Sequence, residues 1–217
     1  MTDKATLLIA TSNRGKLREV QALLADLPVR LASLAEFPEI AEPIEDGATF
    51  DENARKKALH YATLTGCLTM ADDSGLEVDA LAGAPGVYSA RYAGKRGDDA
   101  ANNAKLIAAL SGVPLEQRSA RFRCVIALAK KDKVVAVASG AIEGLIVDDP
   151  RGRNGFGYDP HFFVPRLGMT AAEMPPEQKN RISHRGLALA AIRPEIERIT
   201  VATEHPMAED ASDASTD

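Results

Sequence analysis

Cysteine is nearly absent from this chain of 217 residues: Cys67 and Cys124 are the only two. A pair so isolated is too sparse for a disulfide framework or a zinc site, which points to a reducing cytoplasm. The four histidines (His60, His161, His184 and His205) show no H-x-x-x-H or comparable metal-ligand spacing. No apolar run approaches the roughly 20 residues that a membrane helix needs, so no membrane partner is expected. The N-terminus, Met1-Thr2-Asp3-Lys4, lacks the basic region and small-residue cleavage site of a secretory signal. Clustering of Lys and Arg is almost absent. The net charge of −5 comes from the end of the chain, where Glu204, Glu209, Asp210, Asp213 and Asp217 meet no base. Without them 26 acids face 26 bases, and a neutral body argues against a nucleic-acid surface.

What remains is ordinary globular material, 45% apolar and 26% charged, long enough for one large domain or two small lobes. The Ala-, Ser- and Asp-rich stretch 204–217 cannot bury enough apolar area to offset its ordering entropy and is expected to be a disordered tail. Residues 5–10 read as a buried strand that stops at the polar turn Thr11-Ser12-Asn13-Arg14-Gly15-Lys16. Leu17, Val20, Leu23, Leu24 and Leu27 then recur at helical spacing up to Pro28. Thr49-Phe50-Asp51-Glu52 has the spacing of a capping box, and Gly66 closes the helix it starts. A strand over Cys67–Ala71 is expected to end directly at Asp72 and Asp73. Further along, Asp98 begins a helix that Gly112 stops. Residues 120–130 and 133–143 read as a hairpin, and Gly144–Val147 and Phe162–Val164 as strands. A last helix begins near Ser183, with Pro194 where such a helix would be interrupted. Alternation first and hairpins later imply a mixed sheet with flanking helices.

Several segments can carry chemistry. A strand, a small polar turn and a helix aim N–H groups and the helix dipole at one point, which suits an anion near Thr11–Lys16. The same residues also suit an ordinary helix start with a solvated lysine. Asp72-Asp73-Ser74-Gly75, read as an acidic turn at a strand end, makes sense if a cation sits between the aspartates. Mg²⁺ needs only one or two carboxylates beside substrate phosphates, and a metal-bound water could then attack phosphorus; a solvated turn fits too. Glu42 and Glu45-Asp46-Gly47 could supply further ligands or be surface acids. Arg91 and Tyr92 could offer a phosphate fork and a stacking ring, or pack a lid. In Gly155-Phe156-Gly157-Tyr158-Asp159-Pro160 the glycines let Phe156 lie beside a ligand, where its face can stack on a purine. Asp159 could accept from ring N–H groups. Lys179 and Ser183-His184-Arg185-Gly186 put two cations and an imidazole near a helix start, where the dipole disfavours them and an anionic or carbonyl-bearing ligand would compensate.

In this order and spacing, these motifs together with Phe50–Lys57 and Gly83–Tyr92 resemble the inosine triphosphate pyrophosphatase family, over residues 5–200. The resemblance implies an α/β fold: an elongated mixed sheet with flanking helices, two lobes around a central cleft, and one domain over 1–203. It implies hydrolysis of deaminated purine nucleoside triphosphates to monophosphate and pyrophosphate, with Mg²⁺ as cofactor and a homodimer as assembly. Thr11, Ser12, Asn13, Arg14, Gly15 and Lys16 would cradle the triphosphate. Glu45 and Asp73 would hold the metal with Asp72 close by, and Asp73 would also accept the proton. Ser74 would contact substrate. Phe156, Gly157, Tyr158 and Asp159 would hold the base, completed by Lys179, His184 and Arg185. Glu45-Asp46-Gly47 stands where the family more often has Glu-Thr-Gly, and Glu45 is chosen over Asp46 or Glu42. A related fold, the Maf-like pyrophosphatases, differs at the opening motif, where this chain has Asn13 and Lys16.

Overall fold

The structure, a computed structural model, describes residues 4–204; the expected tail lies, from His205 onward, outside the described residues. Strand β1 (Thr6–Ile9) is almost wholly buried and delivers the chain to Asn13. The Asn13 side chain caps helix α1 (Arg14–Leu23), its oxygen accepting from the N–H groups of Gly15 at 2.8 Å and Lys16 at 3.1 Å. Strand β2 (Arg30–Ser33) was not foreseen, because Arg-Leu-Ala-Ser is too short and mixed to show a period. Helix α2 (Phe50–Thr65) starts where expected: the Thr49 hydroxyl accepts from Glu52 N–H, and Gly66 ends it in a left-handed conformation.

Strand β3 (Leu68–Val78) overturns one expectation. It does not end at Asp72 but runs straight through Asp72-Asp73-Ser74-Gly75, so the acidic turn is the middle of a strand. The reason is β4 (Ser119–Lys130), which pairs with β3 along its length, Asp72 opposite Ile126 and Asp73 opposite Val125. Long-range pairing satisfies the backbone there, which no local signal in D-D-S-G reveals.

Helix α3 (Asp99–Ala109) is capped by Asp98. Strands β4 and β5 (Lys133–Ile146) form the expected hairpin, and the separate strand read at Gly144–Val147 falls, as far as Ile146, in the last part of β5. Strands β6 (Phe162–Val164) and β7 (Met169–Thr170) follow, then helices α4 (Pro176–Ile182) and α5 (His184–Glu204). Pro194 does not end α5. The lost hydrogen bond costs about 3 kcal/mol, and burial of Ile192, Ile196 and Ile199 along one face offsets it.

The seven strands form one open mixed sheet in the order β2-β1-β3-β4-β5-β6-β7, with β1 parallel to β2 and β3 and the remaining pairs antiparallel. In one lobe the sheet is sandwiched. Val20, Ala188, Leu189 and Ile192 pack on one face; Phe50, Ala54, Ala58 and Tyr61 pack on the other. The far ends of β3, β4 and β5 build a second lobe around Leu76, Leu106, Phe122, Ile142 and Phe162. Where the two cores part, a cleft of about 330 Å³ opens, lined by residues of both lobes. No helix among the described residues is long and apolar enough to cross a membrane.

Candidate active site

Successive side chains of a strand point to opposite faces of the sheet, and β3 uses this to part its two aspartates. Asp72 and Ser74 share the face covered by α1 and α5. Asp72 Oδ2 lies 3.0 Å from Lys16 Nζ and 3.2 Å from Arg185 Nη2, and accepts from Ser74 Oγ at 3.1 Å. Asp73 faces α2, where Lys57 Nζ donates to its Oδ1 at 3.1 Å. The picture of two neighbouring carboxylates flanking one cation therefore does not describe this site. Asp72 is buried and absent from the cleft lining, whereas Asp73 lines it. Burial pushes the Asp72 carboxyl up, but Lys16 and Arg185 outweigh it and hold the group far below the ordinary carboxylate range.

The second carboxylate near Asp73 is Glu45. Lys57 Nζ lies 2.9 Å from Glu45 Oε1, so one ammonium bridges Glu45 and Asp73. Of the alternatives, Asp46 turns to Lys56 and does not line the cleft, and Glu42 pairs with Arg96 at 3.4 Å. Asp73 Oδ2 is buried with no hydrogen-bond partner among the described residues. An orphaned carboxylate oxygen beside a second carboxylate is what a hard, oxygen-seeking divalent cation would fill. Among the described residues no group of three or more His, Cys, Asp or Glu is poised around one point. The remaining ligands would then be water and substrate oxygens.

Thr11, Ser12, Asn13 and Lys16 line the cleft at the N-terminus of α1; Arg14 and Gly15 do not. Arg14 is exposed. Gly15 has a different role: a Cβ there would lie 2.6 Å from the Phe156 ring. Only a glycine lets that ring rest directly on the helix backbone.

Beside the N-terminus of α1, Phe156 is flanked by cations, Lys179 Nζ 5.0 Å and Arg185 Cζ 5.8 Å from its ring centre. Asp159 accepts from Lys179 Nζ at 2.6 Å and from Phe156 N–H at 2.8 Å, so its Oδ2 secures the loop as well as facing the cleft. Gly157 N–H donates to Asp99 of α3, and the Tyr158 hydroxyl donates to the Ser89 carbonyl at 2.8 Å. His184 stacks on Phe122 with ring centres 4.9 Å apart, and its buried Nδ1 has no partner among the described residues. Burial, reinforced by Arg185 and Lys179, drives the His184 imidazole well below its usual 6.5. It is a neutral ring with a hydrogen-bonding position to spare. Arg91 reaches the cleft, whereas Tyr92 packs beneath it, under Lys105.

Three residues were given no role by the sequence reading: Glu19, Lys57 and Arg96. Glu19 accepts from Lys179 Nζ at 2.9 Å and also pairs with Arg185, tying α1 to the cations beside Phe156. Its signal was its position three residues after Lys16 on the same helical face. Lys57 carried one too: with Asn53 and Tyr61 it repeats at intervals of four on the inward face of α2.

Comparison with known proteins shows the family. The Ham1 family model matches residues 7–195. A Geobacter sulfurreducens protein named dITP/XTP pyrophosphatase is 56% identical over 187 residues, 86% of this chain and 94% of the relative. Among solved structures, a HAM1 protein from Coxiella burnetii is 45% identical with a TM-score of 0.81, covering 89% of this chain and 99% of that one. A nucleoside-triphosphatase / dITP/XTP pyrophosphatase from Mycobacterium abscessus is 47% identical with a TM-score of 0.71, covering 87% and 99%. The chain belongs to the Ham1 family.

Proposed function

We propose that this protein hydrolyses deaminated purine nucleoside triphosphates (ITP, dITP and XTP) to the monophosphate and pyrophosphate, clearing such nucleotides before polymerases use them. The observation that carries the reading is the lining of the cleft. Phe156, neutral His184 and buried Arg185 lie beside the α1 N-terminus and Lys16, and the Glu45–Asp73 pair lines the cleft from the opposite face of β3. A molecule that joins a flat heterocycle to a polyanion matches these groups. The names of the relatives at about half identity support the same chemistry.

In this reading Glu45 and Asp73 would hold Mg²⁺, Asp73 with an Oδ2 that has no partner among the described residues. The metal would neutralise phosphate charge and acidify a bound water. The chain's own residues do the rest. Lys16 and the turn Thr11–Asn13 orient the phosphates, and Asp73 accepts the proton of the attacking water. Asp72 takes no ligand role; it fixes Lys16 and Arg185. Phe156 stacks on the base, which Gly157, Tyr158 and Asp159 frame. Arg185 and His184 face the 6-oxo position, where the amino group of adenine would leave donors unpaired, a mismatch that discriminates strongly. The active assembly is a homodimer.

The test is pyrophosphate release from ITP, XTP and ATP with Mg²⁺. ITP and XTP should turn over at least about 100-fold faster than ATP. Faster turnover of ATP sinks the specificity.

A further inference from the structure

The 3₁₀ turn Gly86–Arg91 and the segment after it carry two arginines across the cleft. Arg91 Nη1 lies 3.7 Å from Glu45 Oε2, and its Nη2 donates to the Glu45 carbonyl at 3.2 Å. Arg96 Nη2 lies 3.2 Å from the same carboxylate oxygen, and its Nη1 3.4 Å from Glu42. With Lys57, three cations thus meet three carboxylates: Glu42, Glu45 and Asp73. The cluster is electrically balanced as it stands.

A divalent cation held by Glu45 and Asp73 would upset that balance by two positive charges. The two guanidinium groups would then lose the attraction that holds them on Glu45, and repulsion from the cation would add to the loss. They are free to move, since Arg96 is half exposed and Arg91 about a third. What they need is an anion, and a planar fork is best matched by phosphate oxygens. Their place in the cleft says which phosphates. The chain of ion pairs runs from Lys179 and Asp159 through Glu19, Arg185 and Asp72 to Lys16. It resumes on the other face of β3 with Asp73, Lys57 and Glu45, and Arg91 and Arg96 come last. Both rest on Glu45, the proposed metal ligand, so the phosphates that would share the metal with Glu45 and Asp73 come within their reach.

We propose that Arg91 and Arg96 form a pyrophosphate clasp, leaving Glu45 to grip the β- and γ-phosphates and the pyrophosphate that departs. The inference rests on the activity proposed above. In that reaction the water oxygen bonds to the α-phosphorus and gives up a proton. The bond from the α-phosphorus to the α–β bridging oxygen breaks, and its electron pair leaves on the pyrophosphate. The arginines would meet that charge as it develops, so they contribute to turnover as well as to binding.

Titration of wild type, Arg91→Met and Arg96→Met with inorganic pyrophosphate and Mg²⁺, and separately with IMP, tests the clasp. Each loss should weaken pyrophosphate binding about tenfold and leave IMP affinity unchanged. Arg91→Lys and Arg96→Lys, which keep the charge but lose the fork, should fall between. Unchanged pyrophosphate affinity overturns the clasp, as does an equal loss for IMP, which is the signature of lid packing. Wild type that fails to bind pyrophosphate overturns it too. Wild type that binds pyrophosphate yet leaves ITP intact instead removes the activity reading, so the two failures are distinguishable.

Discussion

Asp72 and Asp73, adjacent in the chain, serve opposite faces of one sheet: Asp72 Oδ2 sits 3.0 Å from Lys16, and Asp73 Oδ1 sits 3.1 Å from Lys57. The same substitution at the two positions should therefore have separable effects. Asp73→Asn removes a carboxylate from the proposed metal pair, and turnover should drop at least about a thousandfold with little change in urea stability. Asp72→Asn leaves buried Arg185 short of a counter-charge and should destabilise the fold by about 3 kcal/mol. Urea unfolding and ITP turnover, measured on both variants, check the pair. Equal stability losses would refute the division.

Lys57 occupies the space between Glu45 and Asp73 that the metal is proposed to share. In Lys57→Met the two carboxylates face each other without that ammonium. The metal-free variant should melt below wild type, and added Mg²⁺ should raise its melting temperature more than it raises that of wild type. An equal Mg²⁺ response in both proteins would show that the lysine does not compete for this position.

Much of this site could be read from residue order, and the misreadings share a cause. Helix starts at Asn13, Thr49 and Asp98 were legible because caps are local chemistry. The hairpin of β4 and β5 was legible because alternation and a charged turn lie within it. The course of β3 was not, since Asp72-Asp73-Ser74-Gly75 looks like a turn until β4 pairs with it. From that one error came the picture of two aspartates around one cation. Glu19, Lys57 and Arg96 were overlooked for a related reason: each acts on partners distant in sequence. A charged residue on a helix or loop looks solvated until the facing carboxylate is in place.

His184 supplies a pH test. Its imidazole is held well below 6.5 by burial first and by Arg185 and Lys179 next, so the folded protein keeps it neutral where the unfolded chain would protonate it. The unfolded state then binds more protons below pH 6.5, and stability falls as pH drops through that value. An NMR titration should show no protonation of His184 near 6.5, and His184→Asn should flatten the stability profile in that range. A His184 midpoint at its ordinary value would contradict the burial argument.

Gly140 lies on β5 directly beneath the first turn of α5. A Cβ there would land on the His184 carbonyl, and would come within 2.7 Å of Ala188 N and 2.9 Å of Leu187 Cβ. Two of those three atoms are backbone, so no side-chain rotation relieves the contact, and the helix itself must move. Its first residues, His184 and Arg185, are the ones proposed to read the base, and Arg185 is also bound to Asp72 and Glu19. Gly140→Ala should cost about 1–3 kcal/mol in stability, as overpacking of a close contact does. It should also narrow the preference for ITP over ATP, because a displaced pair of donors no longer penalises the adenine amino group. The ratio of the two kcat/KM values, measured beside a melting curve, reports both effects. If the variant melts lower with its ITP-to-ATP ratio intact, the helix has moved without carrying the base-reading groups, and their assignment to the 6-oxo position fails.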